Sequence, residues 1–129
     1  MTKKFSGKRF QSYIFMNYTI PYNFILKLLH PVRPKIIKML GGYALYQDKR
    51  LLFFLRERST ELEFNGVFVA TQPQFYGELQ KEIHHSKMEF DLDGSKDSWI
   101  FISEDLDDFE DKVKEACELV KKDDVRIGK

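Results

Sequence analysis

The sequence predicts an α+β protein: a two-layer α/β sandwich with a mostly antiparallel sheet of five to six strands and flanking helices, in the order α-β-β-β-β-α-β-β-α. Three observations carry this. Residues 35–55, KIIKMLGGYALYQDKRLLFFL, contain three short apolar runs separated by two turn signals, the pattern of a β-meander. Proline-initiated or capped segments at 21–29 and 71–83, and an amphipathic segment from Ser103 onward, repeat apolar residues at helical spacing. Aromatic residues make up 15% of the chain, including 12 Phe and 6 Tyr, which suits an aromatic core and not a disordered chain.

Residues 1–20 form a basic extension with Lys3, Lys4, Lys8 and Arg9 ahead of the apolar patch Tyr13-Ile14-Phe15-Met16. That patch is too short for a secretory signal, and no small-residue cleavage site follows it. The segment 13–20 reads as an edge strand or as a short helix. Residues 21–122 are expected to form one domain, and 123–129 a fraying tail.

Pro21 is placed where a helix can begin, and Phe24, Ile25, Leu28 and Leu29 share one apolar face. Pro31 ends that helix, because the residue before a proline is pushed out of the α region. The meander follows, with its first corner at Gly41-Gly42 and its second at Gln47-Asp48-Lys49-Arg50. The twin glycines supply backbone freedom or a close approach of another backbone, a structural use before a functional one. Asn65-Gly66 can be the turn of a hairpin, or residues 57–65 can be a loop or helical turn leading into a single strand over 66–70.

Thr71 is the expected cap of the second helix, with Gln74 in the capping-box relation, and Phe75, Leu79 and Ile83 face the sheet. His84-His85 ends that helix, at the carbonyl end of its dipole. The pair lacks companions at zinc-like spacing. A strand over 88–92 and a turn over 93–97 lead into Ser98-Trp99-Ile100-Phe101-Ile102. The turn is no calcium loop, since Lys96 and Ile102 stand where the loop's glycine and glutamate are required. The last helix carries Leu106, Phe109, Val113, Ala116 or Cys117, and Val120 on one stripe. Its early acids and late Lys121 and Lys122 complement the helix dipole.

A single cysteine, Cys117, excludes an internal disulfide framework and favours a reducing compartment or indifference to redox. No stretch approaches a membrane span, so the chain reads as soluble and cytoplasmic, with no membrane partner and no cofactor. Charge divides along the chain: residues 1–58 hold 12 Lys or Arg against Asp48 and Glu57, while residues 59–129 hold 9 basic against 18 acidic residues. The basic half is a footprint for nucleic acid or another anionic partner, the complement of the chain's own acids in the fold or in a homodimer, or merely solvated surface charge. If nucleic acid binds, the contacts are Arg33, Lys35, Lys38, Lys49, Arg50, Arg56 and Arg58, with Tyr43 or Tyr46 to stack on bases. An enzyme would have to draw on Glu78, Glu82, His84, His85 and Asp97, which no motif brings together.

Ile25 to Leu29, followed by Ile36-Ile37-Lys38-Met39-Leu40-Gly41-Gly42-Tyr43-Ala44-Leu45-Tyr46, resembles the opening of the N-terminal-domain family of the TfoX/Sxy competence regulators. There a short helix precedes a strand ending in Met-Phe-Gly-Gly. Ser98-Trp99-Ile100-Phe101-Ile102 with Ser103-Glu104-Asp105-Leu106-Asp107-Asp108 is similar to that family's aromatic strand and the acidic start of its last helix. The matches bracket residues 22–121, with Met39, Gly41, Gly42, Tyr43 and Trp99 as motif positions of a structural kind. Leu40 replaces the motif's phenylalanine, residues 56–66 are longer than the family's loop, and residues 1–20 have no counterpart. The resemblance implies a stand-alone α/β sandwich of the bacterial transcription-regulation type, acting through protein partners, with no catalytic residues. It does not extend to the helix-hairpin-helix domain of the full-length regulators.

Overall fold

Two apolar rows cross the inner face of a five-stranded antiparallel sheet, and a third crosses its outer face. The computed structural model describes residues 20–83 and 97–129. The strands are β1 (Lys35–Met39), β2 (Gly42–Gln47), β3 (Arg50–Arg56), β4 (Gly66–Ala70) and β5 (Trp99–Ser103), paired in sequence order. Strand alternation places Ile36, Leu45, Phe53, Val69 and Ile100 in one inner row, and Lys38, Tyr43, Leu55, Val67 and Ile102 in the next. The outer row is Ile37, Ala44, Phe54, Phe68 and Phe101.

Three helices, α1 (Phe24–Leu29), α2 (Pro73–Glu82) and α3 (Phe109–Lys121), bury their apolar stripes in the same cluster as the inner rows. Ile25 and Leu29, Leu79, and Val113, Ala116 and Cys117 are fully buried there. Tyr22 and Phe24 set their rings edge-on to Phe109 at 5.3 and 6.0 Å, which fastens α1 to α3. On the outer face Phe68 is the hub, with ring centroids 6.0 Å from Phe54, 4.7 Å from Phe101 and 6.3 Å from Trp99. The α+β sandwich and the meander are as the sequence predicts.

Several details differ. The first corner is Leu40-Gly41 and not Gly41-Gly42: both residues have positive φ, 53° and 75°, and Met39 pairs with Gly42, which opens β2. That is the two-residue geometry that matches strand twist. The pairing shifts between Leu45 and Tyr46, where Leu52 is the extra residue on β3. Leu52 and Phe53 therefore both face the helices, adding one apolar anchor to that side.

Residues 57–65 are a loop with a single 3-10 turn, Leu62–Phe64, ahead of one strand, β4, so Asn65-Gly66 is not a hairpin turn. Buried Asn65 accepts from Arg56 Nη1 (2.7 Å) and from the Arg58 amide (2.9 Å), and donates to the Arg58 carbonyl (2.9 Å). Thr71 does not cap α2, since its hydroxyl donates to the Arg126 carbonyl at 2.6 Å and Gln72 is the residue preceding the helix. The last helix starts at Phe109 instead of Ser103. Ser103 still belongs to β5, and its Oγ accepts from the Asp105 amide to start a turn that delays the helix.

The tail is not frayed. Leu51 and Lys129 exchange backbone hydrogen bonds at 3.0 and 3.1 Å, the Gly128 amide donates to the Ala70 carbonyl at 2.7 Å, and Ile127 is buried. The tail therefore bonds to both β3 and β4, beyond the end of their mutual pairing. The expected features at 1–19, His84-His85, the strand over 88–92 and residues 93–96 of the turn lie outside the described residues.

Candidate interaction edge

Among the described residues β1 is an edge strand, and most of its side chains are exposed. Among the described residues it pairs only with β2, and Lys35, Ile37, Lys38 and Met39 are exposed while Ile36 alone packs against the core. By contrast every residue of β4 is buried. An edge strand presents N–H and C=O groups on one side that its sheet does not bond, so among the described residues β1 combines open backbone polarity with exposed apolar side chains.

The corner after β1 strengthens this. Leu40 is 60% exposed and held at φ 53°, a left-handed conformation in which a bulky side chain is strained. Beside it Gly41 lies under the Arg58 guanidinium, whose Nη1 would be 3.1 Å from a Cβ placed there. An open cleft of about 290 Å³ adjoins the corner, lined by Ile20, Pro21, Gly41, Gly42, Tyr43 and Glu57.

The seven basic residues do not share one face. Arg56 is buried and committed to the carbonyls of Thr60 and Glu61 and to Asn65 Oδ1, at 3.1, 3.0 and 2.7 Å. Arg50 lies against Gly128 and donates to the Val125 carbonyl at 2.6 Å. Both hold the fold. Arg33, Lys35, Lys38 and Lys49 are exposed, and among the described residues they form no ion pair. Alternation sends Lys35 to the outer face and Lys38 to the inner one. Tyr43 and Tyr46 are half-buried against opposite faces of the sheet, so neither offers a free ring. Of the motif positions, Met39 is exposed at the edge, and Trp99 packs on the outer cluster with Lys129 Nζ 4.4 Å from its ring centroid.

Two of the candidate acid–base residues, Glu78 and Glu82, are engaged in structure. Glu78 and Glu82 reach Arg126 at 3.5 and 2.9 Å, and Asp124 holds the same guanidinium at 2.7 Å. The hydrogen bond from Arg126 keeps the Asp124 carboxyl below the ordinary carboxylate range. Asp97 is exposed in the turn before β5. The Cys117 thiol is pushed up to about 12 by burial, so it is neutral and unreactive at physiological pH. Tyr22 donates to Glu104 Oε1 at 2.6 Å, with the Arg56 carbonyl 3.1 Å away; burial and the carboxylate raise its phenol. Among the described residues no three His, Cys, Asp or Glu side chains are grouped to hold a metal ion, and no helix is long and apolar enough to cross a membrane.

Sequence reasoning missed Ile37 and Leu40 as surface residues. The available signal was a choice of register: turning at Leu40-Gly41 leaves equal strands of a hairpin with a leucine at the exposed tip. Comparison with protein-family models, with curated proteins and with solved structures found no match to the chain.

Proposed function

We propose that the protein is a non-enzymatic interaction module, with regulatory use, that meets a protein partner along β1 and the Leu40 corner. The observation that carries this is the exposure of Ile37, Met39 and Leu40 on a strand edge whose neighbouring cations Lys35 and Lys38 form no ion pair among the described residues. Exposed apolar side chains beside free backbone groups are costly unless a partner covers them. The motif resemblance to the TfoX/Sxy N-terminal-domain family, resting on the Met39 to Tyr43 corner and on Trp99, supports the same class of role.

A photo-crosslinking residue substituted at Leu40, with a control at the exposed Val125, tests the reading in cells that make the protein. A discrete protein adduct through position 40 and not 125 is expected. Adducts with nucleic acid alone, or none above the control, would refute it.

A further inference from the structure

We infer that the partner of β1 is an extended segment of another protein that adds as a sixth strand and presents acidic, apolar, apolar, acidic side chains in that order. The inference rests on the interaction reading above and supplies its chemistry.

Each sheet row ends at β1, and the residue there fixes what the next strand must offer. Ile36 ends one inner row and Ile37 the outer row, so the positions beside them extend apolar rows and require apolar side chains. Lys35 and Lys38 flank this pair, exposed and, among the described residues, without an acidic partner in an ion pair. From Arg33 to Gln47 the chain contains no acidic residue. The positions beside the two lysines therefore require carboxylates. The pattern reads the same in both directions, so it suits parallel or antiparallel addition.

The lysines also select against a second copy of the chain. Two β1 strands side by side would add two ammonium groups to each face of the seam with no carboxylate on either strand to offset them, and like charges across a strand pair repel. Nucleic acid fits less well, because Lys35 and Lys38 project from opposite faces and cannot track one phosphate backbone.

The test uses the full chain and labelled, end-blocked peptides containing Glu-Val-Val-Glu, Lys-Val-Val-Lys or Val-Glu-Glu-Val, read by fluorescence anisotropy at low salt. The Glu-Val-Val-Glu peptide is expected to bind about tenfold tighter than either control, since the lysine peptide turns two ion pairs into repulsions and the permuted peptide loses both the ion pairs and the two apolar contacts. N-methylation of its valines should abolish binding by removing ladder donors. The double variant Lys35→Glu, Lys38→Glu, both at solvent-exposed positions, should reverse the preference toward the lysine peptide. Equal binding of all three peptides, indifference to N-methylation, or no binding up to millimolar concentration would overturn the inference. So would a sedimenting dimer that shields the β1 amides, or a single-stranded oligonucleotide that displaces the peptide with a steep salt dependence. An adduct through Leu40 together with no peptide binding would sink strand addition while leaving the interaction reading in place.

Discussion

A Cβ on Gly42 would lie 2.5 Å from Cζ of Phe54 and 2.4 Å from the carbonyl oxygen of Leu55. The Phe54 ring thus occupies the space a side chain at position 42 would need, and the glycine lets the outer aromatic row reach across to the β1–β2 corner. Gly42→Ala must push either a buried ring or a strand backbone aside, and overpacking of this kind costs about 1–3 kcal/mol or more. Thermal unfolding should show a clear fall in Tm. Gly77→Ala on α2 is the matched control: nothing lies within 4 Å of the added methyl, so a gain of about 0.5–1 kcal/mol is expected.

Asn65 and Arg56 form a buried polar pair that organises the 57–65 loop. Asn65→Ala strands a buried guanidinium N–H together with the amide and carbonyl of Arg58, so a loss of about 2–4 kcal/mol is expected. A double-mutant cycle with Arg56→Met, followed by urea denaturation, should return a coupling of about 1–3 kcal/mol. Additive effects would show that the two act independently.

The last residues behave as part of the sheet. Ile127 is 1% exposed and belongs to the inner core, so Ile127→Ala should cost about 2–4 kcal/mol. Removing residues 126–129 should cost more, since it also frees the Leu51 and Ala70 backbone groups and the three carboxylates around Arg126. An unchanged urea midpoint for the truncated chain would contradict a docked tail.

Cys117 gives a pH dependence with a definite sign. Its thiol titrates at about 12 in the folded chain against an ordinary 9.0, so between these values the unfolded chain holds fewer protons than the folded one. Its contribution is intact below about pH 9 and declines as pH rises through that window. Tyr22, also raised, adds to the alkaline loss. Stability measured by urea melts should fall from pH 9 to 11, and Cys117→Ala should flatten part of that slope. At pH 8 the native thiol should react with a thiol reagent far more slowly than the urea-unfolded chain.

Much of the scaffold was legible because its signals are local. Short apolar runs between turn signals fixed β2 and β3, proline boundaries fixed α1, and the spacing of Leu79 and Ile83 fixed the buried stripe of α2. The errors came where tertiary partners outbid local chemistry. Thr71 has the chemistry of a cap but is recruited by Arg126, and Ser103 opens a turn instead of a helix. The tail has turn-like composition, yet Ile127 finds a core and Lys129 a strand. The candidate edge was half legible. Lys35 and Lys38 stood out as charges, but their separation onto two faces, the withdrawal of Arg50 and Arg56 into the fold, and the exposure of Leu40 depend on pairings between strands.

The most direct measurement of the central claim is amide hydrogen exchange across Lys35–Met39, recorded on the free chain and with the Glu-Val-Val-Glu peptide. In an antiparallel pair only alternate residues bond to the neighbour, so the remaining β1 amides should exchange quickly in the free chain and become protected when the peptide is added. If those amides are already protected in the free chain, or stay equally fast at saturating peptide while protection appears elsewhere, β1 is not the docking edge.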